Sequence, residues 1–292
     1  MIVVRLMGGL GNQLFQYAFA KHLSVLNNCE LGIDISGLKH DGDAFSVNFT
    51  NREYYLDHYN TTIIKPLSKS YLKRFKGFWK RIHTMTGKKY QYIKEHNTTF
   101  DQQMLAIKDN TLVEGYWQSE KYFKGIEHVI RKDLTLKKEI HGQNKTIAEK
   151  IALTRSVSLH VRRGDYVSNP VFSKVLGACQ PDYYERAIGL MNEKIENPTY
   201  FIFSDDIPWA KENLNFKGRP ATFVTNNNEA QCFEDLRLMS MCENNIIANS
   251  SFSWWGAWLN AQAGKIIIVP EKWFNDLAMC DDDLIPAEWV KV

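Results

Sequence analysis

Four stretches of the chain place glycines, arginines, carboxylates or hydroxyls where an anion can be held. Gly8-Gly9-Leu10-Gly11-Asn12-Gln13 lies between an apolar run at 2–6 and Phe15, Phe19, Leu23 and Leu26, which recur at helical spacing. A glycine loop between strand and helix lets backbone N–H groups approach phosphate oxygens at the positive end of the helix. A merely tight turn explains the glycines equally well. The loop is neither a P-loop nor a dinucleotide fingerprint, because no G-x-x-x-x-G-K-[ST] is present and Leu14 stands where the third glycine belongs.

His160-Val161-Arg162-Arg163-Gly164-Asp165-Tyr166 starts where the apolar strand 157–161 ends. In α/β sheets ligands sit outside the carboxyl ends of strands. Two adjacent arginines there call for an anion, and the planar guanidinium fork suits phosphate; Asp165 can fix one of them. The competing reading is a structural ion pair. Ser204-Asp205-Asp206 follows the strand 200–204. Its carboxylates suit guanine N–H groups, ribose hydroxyls or a metal, or else cap a helix. Asn249-Ser250-Ser251-Phe252 joins a strand to a helix. One hydroxyl is explained by an N-cap, and the pair makes a second anion cradle. Trp254, Trp255 and Trp258 read as core packing ahead of sugar platforms.

Metal and hydrolase chemistry are poorly served. Asp41-Gly42-Asp43 and Asp281-Asp282-Asp283 contain D-x-D but sit in polar surroundings and read as solvated loop. The eight histidines form no H-x-x-x-H pair, and G-x-S-x-G is absent.

The elements that must position these groups alternate. Strands are expected at 2–6, 31–35, 111–117, 157–161, 200–204, 221–225, 246–249 and 265–270. Helices are expected at 183–195, with Asp182 as N-cap, at 230–242 and at 252–261. This βαβ alternation predicts parallel, helix-covered sheets. The region 36–110 is weakly patterned, with Leu72, Phe75, Phe78 or Trp79, and Ile82 at helical spacing. The polar stretch 137–150 is the natural boundary and divides the chain into domains 1–145 and 146–292.

The 292 residues include 44% hydrophobic and 24% charged, which excludes disordered, collagenous and coiled-coil chains. No run of about 18 apolar residues predicts a membrane span, and the first 14 residues lack signal-peptide order. Five cysteines without C-x-x-C suit reduced thiols in a cytoplasm. The net charge of +3 hides an asymmetry: 65–94 holds ten Lys or Arg and no acid, leaving 26 basic against 33 acidic residues elsewhere. That segment reads as a solvated helical face or as peripheral contact with the inner face of a membrane. No nucleic-acid partner is expected.

M-G-G-L-G-N-Q-L-F-Q-Y-A, H-V-R-R-G-D-Y and A-N-S-S-F-S-W-W-G-A-W-L, in that order, resemble the bacterial α-1,2-fucosyltransferases of glycosyltransferase family 11. These belong to the wider group of GDP-fucose enzymes with an H-x-R-R-x-D motif. The resemblance runs from residue 1 to about 270. It implies a GT-B-like α/β fold, two Rossmann-like domains facing across a cleft, with 1–145 on the acceptor side, where 36–110 with its basic insertion would shape the acceptor site, and 146–292 binding GDP-fucose. It further implies inverting transfer of L-fucose from GDP-β-L-fucose to the 2-hydroxyl of a galactose, in an oligosaccharide or lipid-linked glycan. Neither metal nor other cofactor is implied. Carried over, His160, Arg162 and Asp165 are the catalytic candidates, with Arg162 holding the diphosphate. Donor contacts fall to Gly9, Gly11, Asn12, Gln13, Arg162, Arg163, Asp205, Asp206, Ser250, Ser251 and Phe252, with guanine near His160 and Asp205. The acceptor's base stays open among Asp165, His160 and acids of the first half, including Asp34. Two alternatives compete: a metal-dependent GT-A enzyme using Asp205-Asp206 or a D-x-D, and a non-catalytic nucleotide- or glycan-binding module.

Overall fold

The computed structural model describes residues 1–38, 52–63, 66–75, 89–276 and 278–292. Asp41-Gly42-Asp43, Lys65, and the helical spacing through Phe78, Trp79 and Ile82 lie outside the described residues. The chain forms two units. One is Met1–Lys137 with Asp282–Ile285, the other Lys138–Asp281 with Pro286–Val292.

In the first unit, β1 (Ile2–Arg5) runs through the glycine loop into α1 (Leu10–Leu26) and back to β2 (Leu31–Asp34). A short helix α2 (Lys69–Leu72), β3 (Gln91–Lys94), β4 (Thr111–Glu114) and α3 (Glu127–Asp133) follow. The described strands form a parallel sheet in the order β2-β1-β4-β3. Val3 and Leu112 pack with Phe75 and Tyr90 on one face. Phe15, Phe19 and Leu23 of α1 are buried as their spacing predicts, but Leu26 is exposed. β3 has no counterpart in the sequence reading: among the described strands it is the edge, and its end residues, Gln91 and Lys94, are polar and exposed. The expected strand 111–117 stops at Glu114, because Trp117 takes a left-handed backbone with φ of 54°.

The second unit begins with α4 (Gly142–Ala152), then β5 (Ser156–Val161), α5 (Gly164–Ser168), α6 (Pro170–Val175), α7 (Pro181–Lys194) and β6 (Thr199–Ser204). It continues through α8 (Ile207–Asn213), β7 (Ala221–Phe223), α9 (Cys232–Met241), β8 (Asn244–Ile246), α10 (Ser251–Leu259), β9 (Ile267–Val269) and β10 (Val290–Lys291). All pair in parallel, in the order β10-β9-β8-β5-β6-β7. Alternation along β6 shows how helices cover both faces. Tyr200 and Ile202 meet Tyr184, Ile188 and Met191 of α7, whereas Phe201 and Phe203 meet Ile147 and Ile151 of α4 and Leu238 of α9.

The units divide at Lys137/Lys138, within the polar stretch 137–150, and α4 spends its apolar face on the second unit's core. Gln180, not Asp182, is the N-cap of α7; Pro181 opens the helix and Asp182 pairs with Arg186 one turn on. The strand expected at 246–249 lies at Asn244–Ile246. Its polar residues are buried because Asn245 donates to Ser158 Oγ (2.7 Å) and the Met239 carbonyl (2.9 Å) and accepts from Asn260 (2.8 Å).

Candidate functional site

β5 lies between β6 and β8, so chain order reverses at its carboxyl end. Such a switch point is where α/β sheets bind ligands. There, the ends of β5, β6 and β8 deliver Arg162 to Tyr166, Asp205 with Asp206, and Asn249 to Phe252.

The register pairs Val161 with Ser204, so the next residues, Arg162 and Asp205, meet. Arg162 Nη1 lies 2.9 Å from Asp205 Oδ2, and Nη2 donates to Asp165 Oδ1 at 2.6 Å. Its Cζ stands 5.4 Å from the Tyr166 ring centre. The other oxygen of Asp205 accepts the Arg163 N–H at 2.8 Å. A Cβ at Gly164 would come within 2.7 Å of Asp205 Oδ2, so glycine there lets the carboxylate approach. Burial alone would lower the Arg162 pKa, but Asp205 and Asp165 outweigh it and hold the guanidinium charged.

Arg163 points elsewhere. Its Nε meets Asp206 Oδ2 at 3.3 Å, and Cζ lies 4.1 Å from the Trp209 ring centre, a cation–π contact. Asp206 also caps α8 by accepting the Trp209 N–H at 3.1 Å. The two arginines thus sit among three carboxylates, and the cluster carries one net negative charge rather than the bare positive patch their adjacency suggests.

His160 is 5% exposed, its Nδ1 has no hydrogen-bond partner, and its ring centre lies 5.4 Å from that of Phe252. Burial, then the charge of Arg162, pushes its pKa down to about 3. The imidazole is therefore neutral at ordinary pH and a weak base. Ser250 occupies the N-cap of α10, yet its side chain makes no capping bond, so capping does not account for its hydroxyl. Trp254, Trp255 and Trp258 are buried and pack together, the core role.

Three features here escape the sequence reading. Asn249 is a buried hub: its amide donates to the carbonyls of Leu176, Gly177 and Trp273, and its own carbonyl accepts from Tyr166 (3.2 Å). Tyr166 therefore ties the end of β5 to the end of β8. Asp235, in the first turn of α9, accepts from Asn227 at 2.6 Å, and burial pushes its pKa up to about 6. The asparagine run 226–228 after β7 is the available signal for it.

The first unit has its own switch point at β1, between β2 and β4. Gly8 has φ of +74°, which favours glycine. Gly9, the N-cap of α1, has extended backbone and open space where a Cβ would stand. Gly11 lies within α1 and is buried. Gln13 is turned inward: its amide donates to the Gly8 and Glu53 carbonyls and accepts the Tyr55 N–H. Asn12 accepts from Gln118 at 2.8 Å.

Asp34 is fully buried. One oxygen accepts from Arg5 Nε (2.8 Å), the other from the Ser36 N–H (2.9 Å). Arg5 also pairs with Glu114. Both Asp34 oxygens are thus spent on the fold.

Among the described residues no group of three or more His, Cys, Asp or Glu could hold a metal ion. Asp281 accepts the Trp273 N–H and Asp283 that of Phe100, so these acids brace loops instead of standing in solvent.

The profile of Glycosyl transferase family 11 matches residues 1–292. An Escherichia coli alpha-1,2-colitosyltransferase is 35% identical over 304 residues, covering 100% of this chain and 98% of that one. The Escherichia coli O-antigen biosynthesis glycosyltransferase WbnK is 32% identical, covering 92% and 93%. Human galactoside alpha-(1,2)-fucosyltransferase 1 is 27% identical over 154 residues, half of this chain and 42% of that one. Among solved structures, Arabidopsis thaliana FUT1 in complex with GDP aligns with a TM-score of 0.55 at 12% identity, covering 98% and 74%. NodZ alpha-1,6-fucosyltransferase aligns at 0.50 and 13%, covering 88% and 92%. The two parallel-sheet units are thus GT-B-like, which removes the GT-A alternative, and full-length kinship with transferases removes the binding module. With one motif at the strand ends of the first unit and two at those of the second, the chain belongs to glycosyltransferase family 11 and is a glycosyltransferase.

Proposed function

We propose that the enzyme moves L-fucose from GDP-β-L-fucose to the 2-hydroxyl of a galactose, with inversion. The observation that carries this is Arg162, held charged by Asp165 and Asp205 at the β5/β8 switch point, where α10 also begins. A guanidinium has five N–H donors, and each carboxylate engages one terminal nitrogen, leaving donors for a phosphate. As the sugar–phosphate bond breaks, GDP gains about one negative charge while the sugar passes through an oxocarbenium-like state. Arg162 and the opening amides of α10 meet that charge without reorganising, each charge-assisted hydrogen bond contributing about 1.5–3 kcal/mol. In the first unit, the Gly9–Asn12 loop stands at the positive end of α1 and offers backbone amides suited to an anion.

In this reading His160 is a neutral hydrogen-bonding group for the base of the donor, and Phe252 packs beside it. Asp205 and Asp206 act by holding the arginines, so the reaction needs no divalent ion. A cation placed at these carboxylates would stand beside two guanidinium groups. The partners are GDP-fucose and a galactose-bearing oligosaccharide or lipid-linked glycan. Exposed Lys69 and Lys73 belong to the basic segment that would meet a membrane carrying such a glycan. Among the described residues no helix is long and apolar enough to cross a membrane. A cytoplasmic enzyme at the membrane's inner face fits the proposal.

A colitosyl donor is the second reading, favoured by the full-length similarity to the colitosyltransferase. GDP release from GDP-fucose and from GDP-colitose, each with a panel of β-galactosides, tests both. Galactoside-dependent release from GDP-fucose is expected. Turnover of GDP-colitose alone would establish the second reading, and failure of both donors would end the proposal.

A further inference from the structure

The loop after β4 holds a set of residues that the transfer reading leaves unused. Trp117, despite its left-handed backbone, is fully buried and stacked on Phe19 with ring centres 4.2 Å apart. Glu95, just past β3, accepts the N–H groups of both Tyr116 (2.6 Å) and Trp117 (3.0 Å). The Gly115 carbonyl accepts from buried Gln16 at 3.0 Å, and a Cβ on Gly115 would run into Glu95. The turn is thus fixed from three sides, and a bulky residue in a sparsely populated conformation persists only where its surroundings over-determine it.

The consequence is the placement of Tyr116. An otherwise anchored turn presents a large aromatic ring, 45% exposed, at the carboxyl end of β4. Two residues on, Gln118 donates to Asn12 in the first turn of α1, which orients the Gln118 amide at the same switch point of the sheet. An aromatic face carries negative π density, which attracts the C–H face of a pyranose. A planar amide supplies both a donor and an acceptor for sugar hydroxyls. Tyr116 and Gln118 bear no charge, so they suit a neutral sugar rather than an anionic one.

We infer that Tyr116 and Gln118 form a carbohydrate subsite of the first unit, which takes a neutral pyranose of the acceptor glycan. The inference rests on the galactoside reading only for the sugar chosen as probe. Lactose is titrated against the full chain by saturation-transfer NMR, and acceptor KM, kcat and the Kd for GDP are measured alongside. Tyr116→Ala should raise the acceptor KM by about tenfold or more and remove saturation of the lactose ring protons, while the Kd for GDP stays within about twofold. Tyr116→Phe should restore lactose binding, because the ring face and not the hydroxyl makes the contact. Gln118→Ala, an independent variant, should also raise the acceptor KM. Wild-type lactose binding in both alanine variants would overturn the subsite, as would an equal loss of GDP affinity in Tyr116→Ala. A chain that binds lactose through Tyr116 yet transfers no fucose would end the galactoside-fucosylation reading and leave the subsite standing.

Discussion

Arg162 Nη1 and Asp205 Oδ2 lie 2.9 Å apart because two adjacent parallel strands end in register. The pairing of His160 with Phe203 and of Val161 with Ser204 carries the chain to both residues together. A guanidinium so fixed by Asp205 and Asp165 is preorganised for a developing charge, and preorganisation of that kind lowers a barrier without further cost at the moment of reaction.

Arg162→Ala should therefore lower kcat/KM by at least about a hundredfold, on the order of 3 kcal/mol. Arg162→Lys should recover only a small part, since one ammonium cannot span Asp165, Asp205 and a phosphate with the geometry of a fork. Steady-state kinetics on proteins of unchanged melting temperature check this. Near-normal kcat/KM in the alanine variant would remove Arg162 from the mechanism.

Gly164→Ala and Gly9→Ala should both damage turnover, for different reasons. The first sets a methyl against Asp205 Oδ2 and displaces the carboxylate that holds Arg162. The second meets open space and an extended backbone, so the protein should keep its melting temperature within about 1–2 °C while losing affinity for GDP. Calorimetric titration with GDP on both variants separates the two effects. Unchanged GDP affinity in Gly9→Ala would detach the glycine loop from the donor.

Asp235 gives a pH signature. Its carboxyl is raised to about 6 by burial, against hydrogen bonding from Asn227. The folded state thus binds its proton more tightly than the unfolded chain does. That contribution is complete below the ordinary carboxylate range and is lost as pH rises through about 6. Asp235→Asn keeps an acceptor oxygen for Asn227 and removes the charge. It should stabilise the protein above pH 6, by on the order of 1–3 kcal/mol, and leave it unchanged near pH 3. Melting curves across that range check the sign. A variant less stable than wild type at pH 8 would contradict it.

Turnover should survive excess EDTA, and Asp205→Asn should weaken GDP binding without creating a metal requirement. Assays in EDTA, followed by Mn²⁺ or Mg²⁺ addition, measure this. Activity lost in the chelator and restored by either ion would make Asp205 and Asp206 metal ligands.

The strand–loop–helix units around Gly9, Arg162 and Ser250 are legible in the chain because apolar runs, glycines and hydroxyls follow one another at fixed offsets. What adjacency hides is pairing. Nothing in the H-V-R-R-G-D-Y order shows that Arg162 and Arg163 diverge to different carboxylates, because that depends on the β5/β6 register. The expected strand starts at 246 and omits Asn244-Asn245, since the partners that let Asn245 be buried, Ser158 and Asn260, are remote in sequence. α4 reads as linker because only Ile147, Ala148 and Ile151 of its surface are apolar and buried. Asp34, plausible as a base after a strand, is consumed by Arg5 and the Ser36 amide, contacts that pattern alone does not reveal.

NMR of the product made from GDP-β-L-fucose and a β-galactoside distinguishes inverting transfer to O2 of galactose from every other linkage. A single new α-anomeric fucose signal is expected, with the glycosylation shift at galactose C2. A β-linked fucose, or a shift at any other galactose carbon, would contradict it.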